Sequence, residues 1–183
     1  TPCYINIFTV NIKVNIRSNT RYGPMVHAKL GIAQENSGKL VTLVRNQARE
    51  IAKQKGAELI LVDGPPGIGC PVIASLTGAA LILVVTEPTV SGLHDMERVL
   101  SLAEFFKIPS VVCVNKHDIN PDMTEKIEDQ CRQQKVPLVG KIPYDNVVTR
   151  AQIIAASVLE YSSDAPVAMA IRRMWDDVSI ELG

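Results

Sequence analysis

Near the N-terminus, Val10, Ile12, Val14 and Ile16 alternate with Asn11, Lys13 and Asn15. That is the period of two of a strand with one solvated face, so Cys3–Ile16 is predicted as a strand. Ser18 to Pro24 reads as a loop, and Met25–Ala33 as a second strand. The period then changes. Leu40, Val44, Ala48, Ile51 and Lys55 mark one face of a helix that Gly56 stops. Glu58–Val62 rises as an apolar run into Asp63, and Ala79–Val85 is a continuous apolar strand. Ser91 is read as the cap of a helix with the stripe Leu93, Met96, Leu100, Ala103 and Phe106, ended by Pro109. Ser110–Val114 is another apolar strand. Asp122 and Glu125 resemble a capping box for a helix with Met123, Ile127 and Cys131 on one face. Pro137–Lys141 is a short last strand and Asp164–Val178 a closing helix. Apolar strands alternating with amphipathic helices predict an α/β fold, a mostly parallel sheet with helices on both faces.

Composition narrows the function classes. The chain has 183 residues, 19 basic and 19 acidic side chains, and 46% hydrophobic residues. Its length fits one domain, 1–183, with the place of residues 1–20 in the sheet left open by the pattern. Such apolar content without net charge excludes a disordered chain. A balanced charge with 4% aromatics also argues against a nucleic-acid surface, which needs basic excess or stacking platforms. No run of about 18 apolar residues predicts a membrane span. Cys3, Cys70, Cys113 and Cys131 form no C-x-x-C pair, so neither zinc nor iron–sulfur ligation is read from this chain. The expected compartment is the reducing cytoplasm. The start has no basic head or cleavage site of a signal peptide. The lack of an initiator Met suggests a fragment or a processed chain.

Ligands of such sheets bind beyond the carboxyl ends of the strands. Four apolar runs end in polar, turn-forming clusters: Asp63-Gly64-Pro65-Pro66-Gly67, Thr86-Glu-Pro-Thr89, Asn115-Lys116-His117-Asp118 and Pro143-Tyr144-Asp145. An acidic residue directly after a buried strand suits a hydrated Mg²⁺ beside a nucleotide, which makes Asp63 the candidate catalytic and, through water, metal-holding residue. A tight βα turn with a capping Asp explains the same residues. Pro65, Pro66 and Gly67 would stiffen a loop and then let its backbone approach a phosphate. Asn115-Lys116-His117-Asp118 matches the N-K-x-D base-reading tetrapeptide, since an amide both donates and accepts and a carboxylate accepts from a base amine. A phosphate loop, G-x-x-x-x-G-K-[ST], is not matched: around Gly38-Lys39 the pattern fails at Ala33 and at Leu40. Lys39 is therefore read as a solvated first-turn residue.

Longer strings resemble a known family. Leu59-Ile-Leu-Val-Asp-Gly-Pro-Pro-Gly67, Ile68-Gly-Cys-Pro-Val-Ile73, Val84-Val-Thr-Glu-Pro-Thr-Val-Ser-Gly-Leu-His-Asp95 and Val112-Cys-Val-Asn-Lys116 are similar to the MinD/ParA type of P-loop ATPase. Thr20-Arg-Tyr-Gly-Pro-Met-Val-His-Ala28 and Glu35-Asn-Ser-Gly-Lys-Leu40 resemble the sub-group with an inserted ferredoxin-like iron–sulfur domain. The resemblance covers about residues 18 to 175. It implies a three-layer P-loop NTPase fold and an ATPase that dimerises around ATP and Mg²⁺. It further implies Asp63 at the metal, Gly67 near the γ-phosphate and Asn115 on the base, flanked by Pro143, Tyr144 and Asp145, with Gly64, Pro65, Pro66, Lys116 and Asp118 also expected to bind the nucleotide. The family's phosphate loop, K-G-G-x-G-K-T, its strand and the cysteine-rich insert are not found here. The chain thus reads as a C-terminal portion, itself inactive, of a protein serving an iron–sulfur or metalloenzyme client, with any cluster in the insert.

Two rivals stand beside this reading. A GTPase would read guanine through Asn115 and Asp118, but a D-x-x-G partner fails because Pro66 stands three residues after Asp63. A non-catalytic interaction module would explain the missing phosphate loop. Among other candidates, Cys70 is read as a small buried residue at a helix start rather than one facing an iron–sulfur partner, and Cys113 and Cys131 as packing. His27, His94 and His117 lack metal spacing. Arg172 and Arg173 with Asp176 and Asp177 read as a solvated face, Trp175 as a core or interface anchor, and Glu87 as a loop carboxylate. Without the phosphate-loop strand, Leu59–Val62 is expected to keep an open edge, filled from outside the chain. Its alternating polar face assigns Cys3–Ile16 to a sheet edge.

Overall fold

The structure, a computed structural model, describes residues 4–9, 16–28 and 38–183, with side chains over 20–27 and 38–183. The expected positions Cys3, 10–15 and 29–37 lie outside the described residues. The chain divides into two compact units, Thr1–Ala79 and Ala80–Gly183.

The first unit holds β1 (Tyr4–Thr9), β2 (Ile16–Thr20), β3 (Gly23–Ala28), α1 (Gly38–Lys55), β4 (Leu59–Val62) and α2 (Cys70–Leu76). Its sheet has the order β2-β3-β1-β4. β1 runs parallel to β3 on one side and to β4 on the other, with Tyr4 opposite Leu59 and Ile7 opposite Val62. This corrects the edge position expected from alternation. Alternating polarity reports which face of a strand is solvated, whereas hydrogen bonding along the two sides decides edge or interior, and the two are independent. β1 thus fills from within the chain the place beside β4 that was expected to be filled from outside it, and among the described residues β4 is bonded to β1 alone.

Residues 18–24 are not a loop. β2 and β3 form an antiparallel hairpin turned by Arg21 and Tyr22, with Thr20 opposite Gly23. Thr20 Oγ1 donates to Gly23 O at 2.9 Å and accepts from Tyr22 N at 3.2 Å, so the hydroxyl closes the turn. The run Ser18-Asn19-Thr20 looked like loop composition because β2 is an edge strand, where polar residues are tolerated. α1 buries Val41, Val44, Arg45, Ala48, Ile51 and Ala52. Val44, Ala48, Ile51 and Ala52 pack with Val26, Leu40, Ile60 and Val62. Each fully buried Val or Ile contributes roughly 1.5–3 kcal/mol, so this stripe fixes α1 on the sheet. Gly56 then turns left-handed at φ 63° and ends the helix.

The second unit holds β5 (Ile82–Thr86), α3 (Val90–Phe105), β6 (Ser110–Asn115), α4 (Pro121–Gln134), β7 (Leu138–Ile142), α5 (Asn146–Ile153), α6 (Val158–Tyr161) and α7 (Pro166–Leu182). Its strands run parallel in the order β5-β6-β7. Val111 to Val114 of the central strand are at most 1% exposed, which is why that segment is a continuous apolar run. α7 packs Met174 and Val178 into the same core as Val111, Cys113 and Val139. At Gly140 an added Cβ would stand 2.8 Å from Met174, so the strand needs glycine to let α7 approach.

Helix starts were misplaced by small shifts. Thr89, not Ser91, caps α3, accepting from Gly92 N at 2.9 Å. Asn120, not Asp122, caps α4, accepting from Met123 N at 3.1 Å, with Pro121 leading the first turn. Among the described residues a capping box lies instead at Ser157 and Glu160 in α6. The stripes themselves hold, since Met96, Leu100, Ala103, Ile127 and Cys131 are buried.

Candidate functional site

β4 delivers Asp63 at its carboxyl end, exposed to solvent. Among the described residues no hydrogen bond or ion pair engages this carboxylate, so it is free to hold a hydrated cation. Gly64, Pro65, Pro66 and Gly67 follow without regular structure, and Gly67 has φ 89°, a conformation that requires glycine. Gly69 precedes α2 as its cap and makes no side-chain bond. The segment 63–69 therefore gains its order from its two ends. At one end is β4. At the other is α2, whose far, C-terminal end the buried Arg45 of α1 holds by donating through Nη1 to Ala74 O and Thr77 O, each at 2.6 Å. Burial first, and Arg49 second, lower the Arg45 pKa. A guanidinium still stays charged, and the carbonyl end of a helix suits a cation.

α1 and α2 enclose an open cleft of ≈ 450 Å³ lined by Gly38, Lys39, Thr42, Cys70, Ile73 and Ala74. Lys39 is exposed in the first turn of α1, as the motif failure implied. Cys70 opens α2 and is exposed, which overturns its reading as a buried residue. The helix is seven residues long, and its first position leaves the thiol outside the packed face of Val72 and Ser75.

In the second unit three strand ends are joined by side chains. Lys116, at φ 55°, turns the chain after β6 and pairs with Glu87 after β5, Nζ to Oε1 at 2.7 Å. His117 N donates to Ile142 O at 3.1 Å. His117 O in turn accepts from the buried Thr124 Oγ1 at 2.7 Å. Asp118 Oδ1 accepts from Tyr144 N at 2.7 Å. That N–H is the first cause that holds the exposed Asp118 carboxyl below its ordinary range, against an opposing desolvation and with smaller help from its own N–H and His117. Tyr144 Oη donates to Asn146 Oδ1 at 3.0 Å. Asp145 caps α5 by accepting from Val147 N at 2.9 Å. Pro143 is half-buried at the end of β7. The Asn115 amide, half-buried, has no hydrogen-bond partner among the described residues.

Asn115, Lys116, Asp118, Tyr144 and Asp145 are thus brought together as one knitted set of loops, with Glu87 added to it. Glu87 was legible only as a loop carboxylate, because its partner is 29 positions away. Other candidates are structural. Burial pushes the Cys113 thiol up to about 11 and also raises that of Cys131. Trp175 packs partly buried against the core of the second unit. Arg172 donates to Ser163 O at 2.7 Å. Among the described residues no cluster of His, Cys, Asp and Glu has the makings of a metal site, and no helix is long and apolar enough to cross a membrane.

The chain is 28% identical over 153 residues to an uncharacterised protein of Methanocaldococcus jannaschii, MJ0578, covering 84% of this chain and 50% of that protein. It is 29% identical over 126 residues to a putative septum site-determining protein MinD of Chlorella vulgaris, covering 66% of this chain and 41% of that protein. Among solved structures, the septum site-determining protein MinD complexed with Mg-ADP from Pyrococcus horikoshii superposes with a TM-score of 0.70 at 16% identity, covering 96% of this chain and 82% of that one. No family profile matches. The chain spans about half the length of the curated relatives it matches. It has the α/β fold of the MinD/ParA-type ATPases.

Proposed function

We propose that this chain is the part of a cytoplasmic MinD/ParA-like ATPase that carries the Mg²⁺-side carboxylate and the base-side loops. The observation that carries the reading is the unengaged Asp63 at the end of a parallel strand, in a fold shared with a MinD that binds Mg-ADP. Asp63 would hold Mg²⁺ through a water, and Gly64 to Gly67 would bring backbone N–H groups to the terminal phosphate. The metal ion, when bound, offsets phosphate charge. Asn115 and the loop Pro143 to Asp145 would meet the base.

Turnover also needs a phosphate-binding lysine, and the motif that supplies one fails at Ala33 and Leu40. The chain by itself is therefore expected to hydrolyse ATP no faster than buffer, and the full-length protein to act as a dimer around nucleotide. Service to an iron–sulfur or other metal client remains a proposal for the full-length protein. In this chain Cys113 and Cys131 are packed away, and only Cys70 is exposed among the described cysteines. The reading is tested by phosphate release from Mg-ATP in the full-length protein. Asp63→Asn is expected to lower turnover by about 100-fold or more. Unchanged turnover would make Asp63 a turn residue and sink the proposal.

A further inference from the structure

α2 is held on α1 at both of its ends. A Cβ added at Gly38 would stand 3.1 Å from Cys70 O and 3.6 Å from Ala74 Cβ, so the first turns of the two helices nearly touch. At the far end Arg45 donates to Ala74 O and Thr77 O, and a Cβ at Gly78 would meet Arg49 Nη2 at 3.4 Å. Residues 38, 45 and 49 share one face of α1, apart from the sheet-side stripe Val44, Ala48 and Ile51. So fixed, α2 buries Val72 and Ser75. Ser75 is 5% exposed, and its Oγ donates to Val72 O at 2.7 Å, folded back on its own helix. Facing it is Gly64, where an added Cβ would stand 3.5 Å from Ser75 Oγ. The gap between the helix and the chain just after β4 is therefore one methyl group wide, and a long side chain at position 75 would push the two apart.

We propose that Ser75 is a positioning residue for Asp63: its small side chain lets α2 close on Gly64 and so sets the direction in which the Asp63 carboxylate leaves β4. This rests on the reading of Asp63 as the Mg²⁺-side carboxylate and adds what aims it. The Cα–Cβ bond of Asp63 takes its direction from the peptides on its two sides. The preceding peptide belongs to β4, and the following one leads into Gly64, against Ser75. A carboxylate that holds a metal through water works only in a narrow geometry, so a shift of this second peptide reaches the metal without any change in the carboxylate itself. Bulk at position 75, and not its hydroxyl, is what matters, because Oγ is spent on Val72 O.

The experiment uses the full-length protein and measures equilibrium binding of a non-hydrolysable ATP analogue with Mg²⁺ and with EDTA. The ratio of the two affinities is the gain that the metal gives. Wild type is expected to show a gain, and Asp63→Asn to lose it. Ser75→Leu is expected to lose about 10-fold of that gain while its affinity in EDTA stays within about 2-fold of wild type. Ser75→Ala, which lacks the hydroxyl but adds no bulk, is expected to keep the gain within about 2-fold. Ser75→Val lies between them in size and is expected to lose about 3-fold, and it carries the test where Ser75→Leu prevents folding. Equal losses with Mg²⁺ and with EDTA would make Ser75 a packing residue and overturn the proposal. A full gain in Ser75→Val would overturn it too, and so would a loss in Ser75→Ala as large as that in Ser75→Leu. Asp63→Asn keeping the gain would overturn the Mg²⁺ reading of Asp63, and the role of Ser75 with it. Asp63→Asn losing the gain while Ser75→Leu keeps it would overturn the role of Ser75 alone.

Discussion

The loop after β4 and the loops after β6 and β7 have the same place in an α/β unit, yet they are built differently. After β6 and β7 nearly every turn is tied by a side chain: Lys116 to Glu87, Asp118 to Tyr144, Thr124 to His117, and Asn120 and Asp145 as helix caps. After β4, residues 63–69 receive no side-chain bond among the described residues, and α2 starts on Gly69 without a side-chain cap. Preorganised groups hold their geometry before a ligand arrives, whereas an untethered loop takes its order from what binds. The loops after β6 and β7 are therefore tied within this chain, whereas residues 63–69 rest on β4 and on α2, whose far end Arg45 holds.

Arg45 is the largest lever on that difference. Arg45→Ala would strand the carbonyls of Ala74 and Thr77 and leave a gap in the packing of α1. The expected cost is about 2–4 kcal/mol in urea unfolding. Exchange should rise over 63–76 while 115–120 and 143–146 stay protected. A loss of less than about 0.5 kcal/mol would show that α2 and its loop are held by something else.

How much of this was readable in the chain follows the same division. The stripes Val44-Ala48-Ile51 and Met96-Leu100-Ala103 were legible because burial imposes periodicity on neighbours in sequence. Asp63, Asn115 and Asp118 were singled out because ligands of such folds bind beyond strand ends, and the structure places all three at or just after the ends of β4 and β6. Lys116–Glu87 and Asp118–Tyr144 were not, since pairs 29 and 26 positions apart leave no local pattern. Nor was the interior position of β1, because alternation does not report on edges. α5 and α6 were missed, and α2 was read only as a helix start at Cys70, because the stripes of short helices never complete a few turns.

The cysteines sharpen the comparison through pH. An unfolded chain ionises a thiol near the ordinary value of 9.0, while buried Cys113 holds its proton up to about 11. Between those values the unfolded state has lost a proton that the folded state keeps. The stability from the buried thiol is therefore full below about pH 9 and lost as pH rises through 11, at up to about 1.4 kcal/mol per pH unit. Cys131, raised as well, adds a loss of the same sign. Cys113→Ala should flatten the alkaline slope seen in denaturant titrations, and an unaltered slope would place the titration elsewhere. In the native protein a thiol reagent should modify Cys70 and spare Cys113 and Cys131 until unfolding.

The smallest effect should come from a single tie after β7. Asp145→Ala removes the cap of α5 and is expected to cost about 1 kcal/mol, read as a lower thermal midpoint, with Asp145→Asn recovering most of it. A loss no greater than in an exposed α7 substitution such as Arg173→Ala would show that α5 is held by packing alone.

The most direct test of the contrast is residue-resolved hydrogen exchange of the full-length protein with and without Mg-ATP. The account predicts that the largest gain in protection falls on residues 63–69, with little change at 115–120 and 143–146 because those loops are already tied. Equal gains in both regions, or a gain confined to the loops after β6 and β7, would contradict it.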